Sequence, residues 1–355
     1  PEPSLAAWTP LPAPETPTDF VDGLVTLGGA GSPQLRRGFA IHLYAANRSM
    51  DRRLFYDADG ELLVVPQEGR LTVMTDLGAL DAAPGEVLLL PKGMRFSVLL
   101  PDGVGKGYVA ELFARRFVPP ERGPICANGL TEPRHFRVPQ AWLEDRLERG
   151  YRVAAKHGGA LFEATQDHSP WDVAAWHGNW VPAVYDLMDF GPAGFTRFDH
   201  TDPSVYTVLA APLDEPGADA LAFVVFPPRW DPTEHTFRPP YFHRNVTTEV
   251  NGIIREPANP ASPFAAGMTF LTPSLTSHGV LARGVERFLS LPEEAANRPH
   301  RSRETSLWFQ FESALPISLT RWARSGPARI GDWPERWGSY RSHFDPDDPA
   351  GRSRA

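Results

Sequence analysis

The chain has 355 residues, 42% of them hydrophobic and 22% charged, with a formal net charge of −8. That length and apolar share suit two domains, or one large double-sheet domain, with a core that needs no staples, and they exclude a fibre or a disordered chain. The acidic balance argues against nucleic-acid and anionic-membrane partners, and no apolar run reaches the roughly 18 residues that span a bilayer.

One cysteine, Cys126, cannot form an internal disulfide, and no charged-then-apolar leader opens the chain, so a cytoplasmic enzyme is expected. The 38 prolines are scattered rather than repeated. Each would cost a hydrogen bond inside a helix or a central strand, so they predict many short strands joined by ordered loops, an architecture dominated by β-structure.

Residues 1–17 carry six prolines and no periodicity and read as an extended arm, free to pack on a neighbour. Strand patterns begin at Gly38 with FAIHLYAAN and continue through LFYDADGELLVVPQEGRLTVMTDLG, where Asp59-Gly60 and Glu68-Gly69 are predicted as hairpin turns of a meander. Pro84–Leu100 looks like a cupin motif in which a Pro-x-Gly turn delivers a residue into a barrel. Metal-binding cupins have a histidine there; Phe96 stands here, so this half is expected to be a metal-free barrel with a filled interior. Ala141–Leu147 is predicted as a short helix, and Trp176-His177-Gly178-Asn179, with no carboxylate pattern beside it, as structural. MDFGPAG, Asp189 to Gly194, marks a soft boundary. The expected division is an arm at 1–17, an N-terminal β-sandwich domain at 18–190, a C-terminal cupin-like domain at 191–345 and a flexible tail at 346–355. Gly-x-Gly-x-x-Gly, Walker-type and Gly-x-Ser-x-Gly loops are absent from the sequence.

The second half carries His243, Glu249 and His278, in PPYFHRNVTTEV and LTSHGV. If His243 ends one strand and Glu249 lies on its hairpin neighbour, the five residues between them allow both side chains onto one face, and His278 follows 29 residues after Glu249. This is the strand-borne metal pattern of the cupins, double-sheet jelly rolls. Two imidazoles and one carboxylate leave coordination positions open, which suits an oxygen-activating Fe(II), although the same triad binds other divalent ions and lone histidines are more often structural. Asn245 is a candidate for a substrate contact or for orienting a ligand, with a capped turn as the alternative. Strand alternation puts Tyr241 on the face of His243.

In order along the chain, DFVDGLVTLGGAG, GFAIHLYAANRSM, LPKGMRFSV, GPICANGL, AWHGNWVP, FDHTDPSVYTVL, FVVFPPRW, TFRPPYFHRN and FESALPISLTRW resemble the homogentisate 1,2-dioxygenase family. The likeness runs from about Thr18 to Asp345. It implies an N-terminal β-sandwich, a C-terminal cupin-like domain holding Fe(II), and a homotrimer or hexamer. It also implies iron ligands His243, Glu249 and His278, and an acid/base histidine at His200 in FDHTDPS; a free imidazole suits proton removal from a phenol. Three departures stand out. The family's carboxylate-anchoring tyrosine is missing at Pro257-Ala258, its histidine six residues before the last ligand is Thr272, and its longer N-terminal region has no counterpart. Arg255 could pair with a substrate carboxylate bidentately, or lie in a surface ion pair.

The resemblance therefore implies an Fe(II)-dependent ring-cleaving dioxygenase of tyrosine-catabolism type, acting on homogentisate or a related hydroquinone and inserting both atoms of O2. The alternatives are an iron oxygenase of the same fold with other chemistry on a specialised aromatic metabolite, and a metal-binding cupin without turnover.

Overall fold

The computed structural model describes residues 2–121, 131–172, 180–191, 206–215, 217–231, 242–296, 298–302, 304–341 and 346–347. Ten strands come first: β1 (Ala6–Trp8), β2 (Leu24–Ser32), β3 (Arg37–Ala46), β4 (Arg53–Asp57), β5 (Glu61–Glu68), β6 (Leu71–Thr75), β7 (Gly78–Ala82), β8 (Glu86–Leu90), β9 (Phe96–Leu99) and β10 (Gly105–Leu112). Then come β11 (Tyr151–His157), β12 (Ala160–Gln166) and β13 (Ala183–Asp186). The later strands are β14 (Thr207–Pro212), β15 (Asp219–Phe226), β16 (Trp230–Asp231), β17 (Thr248–Arg255), β18 (Thr269–Thr272), β19 (His300–Arg301), β20 (Leu307–Ser313) and β21 (Ser318–Leu319). Among the described residues the α-helices are short: α1 (Ala282–Leu289), α2 (Glu293–Ala296) and α3 (Arg321–Ser325).

Three large sheets stack in layers. The central one has the order β13-β8-β5-β10-β3-β2-β21, and it is flanked by β12-β11-β4-β9-β6-β7 and by β1-β18-β17-β20-β15-β14. Its residues alternate between two cores, as the period of a strand requires. Phe39, Ile41 and Leu43 of β3 and Tyr108, Ala110 and Leu112 of β10 pack with Phe223, Phe309 and Phe311 of the later sheet. Tyr44, Val64 and Val109 face the other way, onto Phe55, Val73 and Phe96. The β-dominated, double-sheet expectation is met, with one sheet serving both sandwiches.

Two predicted hairpins are corrected. Asp59-Gly60 joins β4 to β5, and Glu68-Gly69 joins β5 to β6, yet each pair of strands lies in different sheets. The turns carry the chain across the sandwich. The Asp57 carboxylate, accepting from the Asp59 and Gly60 backbone N–H groups at 2.8 and 3.0 Å, shapes the first crossing. The Pro91-x-Gly93 turn also crosses, from β8 to β9, and Phe96 is buried with its ring 5.5 Å from that of Phe55.

The helix predicted at Ala141–Leu147 does not form. Its backbone bonds elsewhere, Glu144 N–H to the Trp171 carbonyl and Ser169 N–H to the Arg146 carbonyl, while Leu143 and Leu147 are exposed. Pairing with a distant segment outweighs a short helical pattern that buries nothing.

The proline-rich arm packs on its own chain. Ala6–Trp8 pairs antiparallel with β18, and the buried Trp8 indole donates to the Ala323 carbonyl at 2.8 Å. In return β21 adds an edge to the central sheet through β2. Trp176–Asn179 and the tail, apart from 346–347, lie outside the described residues. No described helix is long and apolar enough to cross a membrane.

Candidate metal centre

β17 lies between β18 and β20, where Glu249 has Thr272 and Glu312 as its cross-strand partners. Val250 and Ile254 point into the core shared with the central sheet, so Glu249, Asn251 and Ile253 occupy the opposite face. Glu249 is nearly fully buried, and both its oxygens are held. Oε1 accepts from Asn245 Nδ2 at 2.7 Å and Oε2 from Gln310 Nε2 at 3.1 Å. Both donors are neutral carboxamides, so they orient the carboxylate without cancelling its charge.

The expected hairpin between His243 and Glu249 is replaced by another pairing. His243 and His278 form an antiparallel bridge, exchanging N–H to carbonyl hydrogen bonds of 2.9 and 2.8 Å, with ring centroids 4.4 Å apart. Gly279 is required here, because a Cβ on it would stand 2.7 Å from the Phe242 ring. Leu275, at φ 61°, takes the left-handed conformation in the turn before His278, a strain of about 1–2 kcal/mol. Its N–H, bonded to the Asn245 carbonyl at 2.8 Å, ties that turn to the first histidine's loop. Trp337 Nε1 donates to the Gly279 carbonyl at 3.1 Å, and Tyr340 packs edge-on against Phe242.

Glu249 and His278 are spaced as two ligands of one divalent ion could be. The Thr276 carbonyl, 2.9 Å from His278 Nδ1, can only accept, so Nδ1 carries a proton and Nε2 is the ring nitrogen left to face Glu249. That Nε2 lies 3.6 Å from Glu249 Oε1, long for a hydrogen bond. With metal–ligand bonds of about 2.1 Å, two ligands of one ion stand roughly 3.0–3.5 Å apart. His243 stands across the bridge from His278, their ring centroids 4.4 Å apart.

The remaining predicted site residues fall into three groups. His200 and Tyr241 lie outside the described residues. Asn245 is engaged at both ends: besides Glu249, its Oδ1 accepts from the Thr247 N–H and hydroxyl at 3.1 and 3.0 Å. It combines the turn and the ligand-orienting bond that were expected as alternatives. Arg255 is six residues along β17 from Glu249, roughly 20 Å at about 3.3 Å per residue. A register shift between Ile253 and Arg255 turns it away, and its guanidinium lies against Gly85 of the N-terminal half. It is no part of this cluster. Thr272, one of the family departures, stands directly across from Glu249, while Ala258 is exposed in the following loop.

Gln310 and Asn251 were missed. The available signal was a polar residue at an alternating position within otherwise apolar strands, as in LWFQFES, where Phe309 and Phe311 take the core face.

A second buried acidic cluster lies in the N-terminal half, where oxygens of Asp57, Asp59 and Glu111 fall within 4.8 Å of one another. It already contains a cation. Lys156 Nζ bonds Glu111 and lies 3.6 Å from Asp59 Oδ2, and His42 Nε2 is 3.1 Å from Glu111. Burial raises the Glu111 carboxyl, but His42 and Lys156 outweigh it and hold it below the usual range. Asp57 is pushed up, first by burial and then by the charge of Glu111.

Residues 1–187 match the family model described as homogentisate 1,2-dioxygenase N-terminal, and residues 188–344 the one described as homogentisate 1,2-dioxygenase C-terminal. A rice (Oryza sativa subsp. japonica) homogentisate 1,2-dioxygenase is 48% identical over 348 residues, covering 97% of this chain and 73% of that protein. Among solved structures, a cupin 2 conserved barrel domain protein from Leptotrichia buccalis overlaps with a TM-score of 0.32 and 8% identity, covering 82% of this chain and 88% of that one. A variant of Bacillus subtilis oxalate decarboxylase overlaps with a TM-score of 0.33 and 12% identity, covering 86% and 81%. With both halves matched in order and nearly half of its residues identical to the rice enzyme, the chain belongs to the homogentisate 1,2-dioxygenase family.

Proposed function

We propose that this protein is an Fe(II)-dependent ring-cleaving dioxygenase that takes a small aromatic substrate and O2 and acts on homogentisate or a closely related hydroquinone. The observation that carries the reading is, in a member of this family, the His278 Nε2 atom 3.6 Å from the buried Glu249 carboxylate, with His243 bridged to His278. His243, Glu249 and His278 would hold the iron. When bound, Fe(II) supplies open coordination positions at which a phenolic oxygen and O2 meet.

The chain's own residues do the rest. Thr276 fixes the His278 tautomer, and Asn245 and Gln310 fix the carboxylate, so the ligands are held before any ion arrives. His200 is assigned the phenolic proton, because a phenolate is the better ligand and electron donor. Thr272 beside Glu249, and Ala258 in the loop, favour a ring whose substituent differs from the family's carboxylate arm. We place the enzyme in the cytoplasm, on its single cysteine, and in a homotrimer or hexamer, on the family likeness; sedimentation of the purified protein checks the latter.

Oxygen uptake by the Fe(II)-loaded protein with homogentisate, gentisate and simple hydroquinones tests the reaction, and product mass should show both oxygen atoms added. His200→Ala should keep its iron and lose turnover. Absence of uptake with every phenol, despite bound iron, would sink the reading.

A further inference from the structure

We propose that Asn251 is a substrate-orienting residue, whose carboxamide donates a hydrogen bond to an oxygen of the aromatic substrate bound beside Glu249. The inference rests on the ring-cleavage reading above. Asn251 follows Glu249 by two residues on the same face of β17, a separation of roughly 7 Å along the strand. The residue is 96% buried, at 4% exposure, yet its buried Nδ2 has no hydrogen-bond partner among the described residues.

A buried amide N–H group left unpaired weakens a fold, and native proteins seldom keep one without a use. The neighbouring amide has one. Gln310 stands directly across from Asn251, and its Nε2 is committed to Glu249. The Asn251 donor is therefore the unspent one. On its other side the cross-strand partner is Phe270, whose ring lies 5.6 Å from that of Phe264. The face thus passes from carboxylate to free amide donor to aromatic wall. That order suits a ring packed on the aromatics with an acceptor oxygen, whether hydroxyl, carbonyl or carboxylate, turned toward Asn251. A site with an unspent buried donor discriminates against a ring that carries hydrogen or methyl at that position.

The test compares the full-length wild type with Asn251→Leu, similar in shape but without the donor, and with Asn251→Ser, which keeps a smaller one. Anaerobic calorimetry with homogentisate and with unsubstituted hydroquinone reads affinity in the Fe(II)-loaded proteins, and oxygen uptake reads kcat and KM. Asn251→Leu should weaken the tighter-binding ring about tenfold, mostly in KM, and narrow the preference between the two rings, with Asn251→Ser partly restoring both. Iron content should be unchanged and Tm unchanged or higher, because a structural asparagine would lower Tm when replaced and an unpaired one would not. Equal affinities and the same ring preference in wild type and Asn251→Leu would overturn the proposal, as would a fall in Tm that accounts for the lost activity. Failure of wild type to consume O2 with any phenol strikes instead at the ring-cleavage reading, and the calorimetric comparison still decides the role of Asn251.

Discussion

Each half of the molecule buries carboxylate charge between strands, and the two halves surround it differently. In the N-terminal half Asp59 and Glu111 meet Lys156 and His42, so the protein supplies its own cation. In the C-terminal half the described donors to Glu249 are two neutral carboxamides, and the nearest imidazole nitrogen, His278 Nε2, stands 3.6 Å away. Burying a charge is costly unless it is paired, so the first cluster is complete by itself, and in the proposed function an ion would supply the counter-charge of the second. Three close carboxylates look more like a metal site than one carboxylate and two histidines, but charge counting reverses that ranking.

The sharpest way to break the contrast is at Glu249. Glu249→Ala should abolish iron binding, with activity down by at least about 1,000-fold, whereas Asp59→Asn should leave iron content unchanged; metal analysis of the two purified proteins decides it. Full iron occupancy in the Glu249 variant would mean that the ligand assignment is wrong. Next in size is Lys156→Met, which strands Asp59 and Glu111 without their cation and should cost about 2–3 kcal/mol in urea unfolding while leaving oxygen uptake per iron unchanged. Should that variant gain a tightly bound divalent ion, Lys156 would indeed be standing in a metal's place.

Asn245→Ala removes one of the two amides from Glu249 and should weaken Fe(II) roughly 10- to 100-fold in chelator competition, with no comparable effect on folding. The smallest effect concerns Glu61, whose carboxyl burial pushes up to about 7 although the Phe117 N–H and Arg116 pull it down. A folded-state value above the unfolded one means stability present at low pH and lost as pH rises. Unfolding free energy should therefore fall by about 2 kcal/mol between pH 4.5 and 7, and Glu61→Gln should flatten that slope. A slope unchanged in the variant would place the titration elsewhere.

The turn at Pro91-x-Gly93 and the inward Phe96 were legible because a strand's period of two and a Pro-Gly turn are local properties. Partner choice was not. Asp59-Gly60 looks like a hairpin turn whether its strands pair or separate into opposite sheets, and no local pattern distinguishes the two. The same limit hid the bridge between His243 and His278, the replacement of a helix at Ala141–Leu147 by pairing with 169–171, and the turning aside of Arg255 at a bulge.

By itself the sequence determined the residue types that converge on the candidate iron site, the β-rich architecture and the family, because composition, alternation and long ordered motifs are written in one dimension. Only the tertiary structure decided which groups hold Glu249, which buried acids already have a cation, and which amide is left unspent. Those are questions of which atoms meet across strands distant in the chain, and a hydrogen bond such as that from Gln310 to Glu249, spanning 61 residues, exists only once the sheet has assembled.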